Sequence, residues 1–236
     1  REPDTLKVAV GRDMRLGSPE LAAAIISGLT SGGVNVHDVG LVPIDLVYLA
    51  VSSLGYDGGV MVTASHNPAE YNGCKAVGKG MVWIRGTEIL EEIQAISDQR
   101  SAISPGITTQ ADLYPQYLQH IAKAIDIDTS KPLKVVVDAG NGMAGKVIPM
   151  LQPLLPSSVS VELMFAELDG RFPNRPSNPL APGAADAAGA KVRAALNGDT
   201  AHLASIAPLA LAWKAATDPL AEHRKRLENA IRDAAE

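Results

Sequence analysis

Leu6-Lys7-Val8-Ala9-Val10-Gly11-Arg12-Asp13-Met14-Arg15 begins as a short apolar run, reads as a buried strand, and ends in a polar turn. Ser18-Pro19-Glu20 then starts a helix, with Ser18 as N-cap and proline in the first turn, running to about Leu29. Gly32-Gly33 stops it. The same strand entry recurs at Leu133-Lys134-Val135-Val136-Val137-Asp138, followed by a glycine-rich turn and a helix near 144–152. A strand pattern repeated at that distance predicts two domains of related topology rather than a short-period solenoid. The polar stretch Asp128-Thr129-Ser130-Lys131-Pro132, ending in proline, is where one would pass into the other.

Between these entries, strands and helices alternate. Val34-Asn35-Val36-His37-Asp38-Val39 and Gly58-Gly59-Val60-Met61-Val62-Thr63 read as strands, and residues 43–54, 87–98 and 113–126 as helices. Alternation of this kind favours a mixed or parallel sheet with helices on both faces. The fold expected is α/β: two related three-layer α/β/α domains with mixed sheets, the second incomplete, plus a helical C-terminal tail. The domains would span residues 1–128 and 129–195. Residues 169–183 read as an irregular Pro- and Asn-rich connection. From about Ala184 the chain becomes alanine-rich, and Asp218-Pro219 introduces a charged final helix within the 196–236 tail.

The 236 residues carry a net charge of −5, which gives no electrostatic reason to expect nucleic acid or an anionic membrane as partner. No run approaches the ~20 apolar residues of a membrane span. Cys74 is the single cysteine, so no internal disulfide exists and a reducing compartment, the cytoplasm, is expected. With 4% aromatic residues the core must rest on Val, Ile, Leu and Ala.

The densest chemistry follows the third strand. Thr63-Ala64-Ser65-His66-Asn67-Pro68 and then Tyr71-Asn72-Gly73-Cys74-Lys75 bring a hydroxyl, an imidazole, an amide and an ammonium into one loop region. A serine needs a base or a cation to become nucleophilic. On an extended chain adjacent side chains face apart, so His66 serves Ser65 directly only where the loop departs from extended geometry. Lys75 would balance phosphate oxygens. Arg12, Asp13 and Arg15 follow the first strand, where open α/β sheets bind ligands. Two readings stand there: arginines gripping phosphate, or a salt-bridged corner.

Gly140-Asn141-Gly142-Met143-Ala144-Gly145-Lys146 fits both G-x-G-x-x-G and, lacking its final hydroxyl residue, G-x-x-x-x-G-K. A nucleotide- or dinucleotide-binding module is therefore the alternative. Against it stand Val147, which cannot ligate Mg2+, and Pro149 and Pro153, which disturb the following helix. A tight βα turn is the plainer account. His37, His120, His202 and His223 show no ligand spacing.

The motifs together identify a family. Gly11-Arg12-Asp13-x-Arg15-x-Gly17-Ser18-Pro19-Glu20-Leu21, Asp38-Val39-Gly40-x-Val42-Pro43, the Ser65 loop with Tyr71-Asn72-Gly73-x-Lys75, Val135-Val136-Val137-Asp138-Ala139-Gly140-Asn141-Gly142 and Asp169-Gly170-x-Phe172-Pro173-Asn174 occur in order. Residues ~6 to ~193 thereby resemble the α-D-phosphohexomutases, the phosphomannomutase/phosphoglucomutase family. The resemblance implies an isomerase passing phosphate between Ser65 and hexose phosphates through a 1,6-bisphosphate, with a glucose 1,6-bisphosphate-type activator. It implies Ser65, His66 and Lys75 as catalytic, and Asn67, with Arg12 and Arg15, as phosphate- or substrate-binding. Mg2+ would meet Ser65 through its phosphate.

The family's D-G-D-G-D-R metal loop, sugar-reading loop and fourth domain have no counterpart in this sequence. The chain is thus expected to be a truncated and weakly active or inactive form. The choice between mannose and glucose phosphates is left open.

Overall fold

The computed structural model describes residues 6–97, 104–125, 130, 132–184 and 186–195. Residues Arg1–Ala188 form one compact unit and Gly189–Glu236 another. Most of the stretch 128–132 and all of 196–236, including the expected helix at 219–235, lie outside the described residues.

The first βα part is a six-stranded mixed sheet. Its strands are β1 (Lys7–Arg12), β2 (Asn35–Leu41), β3 (Gly58–Val62), β4 (Cys74–Gly78), β5 (Val82–Ile84) and β6 (Thr108–Gln110), in the order β5-β4-β3-β1-β2-β6. β1 pairs parallel with β2 and β3, and β2 with β6, whereas β4 runs antiparallel to β3 and β5. The helices are α1 (Ser18–Ser31), α2 (Ile44–Ser53), α3 (Gly86–Ser97) and α4 (Tyr114–Ala124).

A second, two-stranded parallel sheet joins β7 (Leu133–Asp138) to β8 (Val159–Met164), with α5 (Ala144–Leu151) between them. α6 (Asp186–Ala195) follows the irregular segment. Two α/β parts with mixed and parallel pairing match the fold read from the sequence. Among the described residues no helix is long and apolar enough to cross a membrane.

Aliphatic side chains fill the core, as the low aromatic content requires. Val42, Leu46, Val47 and Ala50 of the α2 region are fully buried against Ala9 and Met61. Glycine makes this approach possible. A Cβ on Gly59 would lie 2.7 Å from Val47 Cγ1, and one on Gly11 2.5 Å from Val42 Cγ2. Both are closer than carbon atoms approach without displacement.

The start of α1 differs from expectation. Its N-cap is Gly17, and no side chain caps it. Ser18 is buried and donates instead to Asp13 Oδ1 at 2.6 Å. The hydroxyl is drawn to the buried carboxylate rather than to the helix amides. That choice ties α1 to the corner behind the Ser65 loop.

Candidate active site

β3 ends at Val62 and β4 begins at Cys74, so the connecting loop leaves and re-enters the sheet at neighbouring positions. Thr63 N donates to Gly73 O at 2.9 Å and closes its neck. Ser65 sits at the turn in the left-handed region, with φ 57°, and is exposed. Its amide donates to Thr63 Oγ1 at 2.9 Å. This conformation removes the obstacle posed by an extended chain: Ser65 Oγ and His66 Nδ1 are 3.2 Å apart. A non-glycine residue held in this region carries strain of order 1 kcal/mol or more, which the surroundings must over-determine.

The brace is Arg15, which is 1% exposed. Its Nη1 donates to the carbonyls of Pro68 and Tyr71 at 2.8 and 3.0 Å, and Nη2 to those of Ser65 and Asn67 at 2.9 and 2.7 Å. Asp13, also buried, lies 3.5 Å from Arg15 Nε and accepts from the Arg15 amide. Ser18 links Asp13 to Asn72, whose Nδ2 donates to Ser18 Oγ at 3.0 Å. The expected phosphate grip by Arg15 is corrected by this geometry. Four of its five donors are committed to loop carbonyls, and the group is sealed from any ligand. The salt-bridged-corner reading is the one its contacts support.

Arg12, at the end of β1, is half-buried and not among the residues lining the clefts beside Ser65. Lys75 pairs in register with Met61 across β3 and β4 and is half-buried. It shares with Ser65, Asp13, Asp45 and Arg175 a cleft of about 270 Å³. His66 and Asn67 line a neighbouring cleft of about 480 Å³ with Arg171 and Asn178. Phe172 and Ser177 belong to both.

Those last residues come from the irregular segment 169–183, which sequence reasoning treated as a connection. Ser177 Oγ lies 2.9 Å from His66 O and 2.7 Å from Asn67 O. The Phe172 ring lies 5.1 Å from the Arg15 guanidinium carbon. Arg175, in the same segment, donates through Nε to Asp138 Oδ2 at 2.8 Å. Arg171 clasps Asp169 and holds its carboxyl down to about 2. No local signal marks Ser177; only the fold brings it to the loop.

The 140–146 turn is structural in its contacts. Gly140 and Asn141 take φ 52° and 60°, and Asn141 is buried, bonded to Phe165 O, Glu167 O and Asn174 Nδ2. Lys146 Nζ donates to Leu41 O at 2.9 Å and lies 4.6 Å from the Tyr114 ring centre. A lysine so engaged is not free to reach nucleotide phosphates, and the nucleotide-binding alternative finds no support.

Mg2+ does not fit the described residues as a cage. Among them no three His, Cys, Asp or Glu side chains converge on a point. Oxygen-rich coordination would need more than they supply.

The comparisons with known proteins agree with this arrangement. The model of the phosphoglucomutase/phosphomannomutase alpha/beta/alpha domain I matches residues 1–103, and that of domain II matches 115–206. A phosphomannomutase of Vibrio cholerae is 40% identical over 181 residues, which are 74% of this chain and 39% of that protein. A phosphomannomutase/phosphoglucomutase of Pseudomonas aeruginosa is 42% identical over 179 residues, 74% of this chain and 37% of that one. The crystal structure of a phosphoglucomutase/phosphomannomutase family protein from Burkholderia thailandensis superposes with a TM-score of 0.69 at 37% identity. That match covers 80% of this chain and 42% of the other. The chain thus spans about two fifths of the length of the relatives it matches. A six-stranded sheet with a braced serine loop and a second βα part reaching back to it, matched by both domain models, places the chain in the phosphoglucomutase/phosphomannomutase family.

Proposed function

We propose that the chain provides the phosphoserine loop of a phosphohexomutase, an isomerase interconverting hexose 1-phosphate and hexose 6-phosphate through a 1,6-bisphosphate. The observation that carries this reading is Ser65 itself: exposed, left-handed, 3.2 Å from His66 Nδ1 and sharing a cleft with Lys75. In the transfer, the bond between phosphorus and Ser65 Oγ breaks as one to a sugar hydroxyl oxygen forms. The hydroxyl proton leaves to a base, and the reverse step restores the phosphate from the other sugar position. His66 stands where it can take a proton from Ser65 Oγ or return one. Lys75 offsets the phosphate charge without reorganising, and Asn67 lines the neighbouring cleft.

Mg2+ would meet the phosphate on Ser65 and supply further charge neutralisation there. Hexose phosphates are the substrates in this reading, with a glucose 1,6-bisphosphate-type activator loading Ser65. The reading also places the chain in the cytoplasm, in keeping with a single thiol.

The test is mass spectrometry of the intact chain after incubation with glucose 1,6-bisphosphate and Mg2+. One added phosphate at Ser65 is expected, and none in Ser65→Ala. Absence of phosphate, or equal uptake by the variant, overturns the proposal.

A further inference from the structure

We propose that Arg15 is a positioning residue for phosphoryl transfer: it turns the peptide between Ser65 and His66 so that the His66 amide faces the phosphate on Ser65. The inference rests on the phosphoserine reading of Ser65. Arg15 never touches that phosphate; it acts from behind the loop.

The argument begins with the peptide group. In a trans peptide the carbonyl and the following N–H point in opposite directions, and the structure has no cis peptide among its described residues. Arg15 draws the carbonyls of Ser65, Pro68 and Tyr71 inward. The amides of His66, Ala69 and Asn72, each sharing a peptide with one of those oxygens, therefore point away from the guanidinium.

None of these three amides has an acceptor among the described residues, whereas Ser65 N and Asn67 N are bonded within the loop. Unpaired amide donors on an exposed turn that includes a left-handed residue form a concavity suited to an anion. The His66 amide is the one next to Ser65. Were the peptide to flip, the Ser65 carbonyl would face the phosphate oxygens, and an attractive dipole would become a repulsive one. The buried guanidinium prevents that flip by holding the oxygen at 2.9 Å. Asp13, Ser18 and Asn72 hold the guanidinium and the far side of the loop in turn.

The full chain, labelled with 15N, tests this with glucose 1,6-bisphosphate as the probe. Loading Ser65 in the wild type should move the His66 amide proton downfield, the signature of a hydrogen bond to an anion. In Arg15→Lys, which keeps the charge but not the fork, the loading rate should fall at least about tenfold. The bisphosphate concentration for half-maximal rate should stay within about threefold, since the residue acts on the transfer and not on sugar binding.

An unmoved His66 amide on a loaded wild-type chain overturns the inference, and that measurement needs no variant. A folded Arg15→Lys that loads at the wild-type rate overturns it too. A wild-type chain that takes no phosphate at all refutes the phosphoserine reading first, and this inference with it.

Discussion

Ser177 Oγ lies 2.7 Å from the carbonyl oxygen of Asn67, 110 residues earlier in the chain. The same oxygen accepts from Arg15 Nη2 at 2.7 Å. The loop carrying Ser65 is therefore held both by the corner after β1 and by the segment after β8. Ser177→Ala removes the second hold and leaves the first. One neutral hydrogen bond contributes about 1 kcal/mol. Hydrogen exchange across residues 64–73 should accelerate about fivefold, with the urea midpoint of the whole chain scarcely moved. Unchanged exchange would show that Arg15 alone fixes the loop.

Lys75 makes a cleaner test of charge. It has no hydrogen-bond or ion-pair partner among the described residues, so folding does not require its ammonium. Lys75→Met keeps an unbranched stem of similar length. Loading of Ser65 should slow by about a hundredfold, the scale of losing one aimed donor at a reacting group. Thermal unfolding should stay within a few degrees of wild type. A fall in stability without a fall in loading rate would assign Lys75 to the fold.

Much of this was legible in the sequence because local patterns dominate it. β1, β3 and β7 are apolar runs with glycine or charge at their ends, and proline or serine opens α1, α2 and α4. β5 and β6 were not legible: each is a three-residue strand, exposed throughout, and exists only because a neighbour offers an edge. β4 hides directly behind the loop motif. At the site, Ser65, His66 and Lys75 stand out by chemical type. Arg15 was visible but misassigned, since an arginine after a strand looks the same whether it faces a ligand or the back of a loop. Ser177 was invisible, because its partners lie in another part of the chain.

Two buried tyrosines make stability depend on alkaline pH. Burial, then the carboxylates of Asp112 and Asp45, push Tyr114 up to about 12. Burial raises Tyr117 further, joined by the hydrogen bond that its hydroxyl donates to Asp45. In the unfolded chain both ionise near the ordinary value of 10.0. Above that pH the unfolded state loses protons that the folded state keeps. The tyrosine contribution is therefore whole below about pH 10 and is lost as pH rises through about 12 and beyond. Urea midpoints should drop between about pH 10 and about pH 12, less so in Tyr117→Phe. Tyrosinate absorbance should show two groups titrating well above the ordinary tyrosine range. Simultaneous titration of every tyrosine would contradict the buried pair.

Gly145 separates a turn that builds the fold from one that grips phosphate. A Cβ there would lie 1.9 Å from Ala166 O and 2.8 Å from its carbonyl carbon. Those are backbone atoms two residues past β8, so no rotamer change relieves the clash. Gly145→Ala should thus force β7 and β8 apart from α5 and cost about 2 kcal/mol or more. Lys146→Met removes the donor to Leu41 O and the cation over Tyr114 while leaving the turn intact. It should cost about 1 to 3 kcal/mol, as for a charged group leaving a carbonyl unpaired. Both losses are read as lowered urea midpoints. Calorimetric titration of the wild-type chain with ATP or NAD should give no binding heat. Sub-millimolar binding that disappears in Lys146→Met, with stability unaltered, would return the turn to the nucleotide reading, because a lysine that anchors α5 to Leu41 cannot also hold a phosphate.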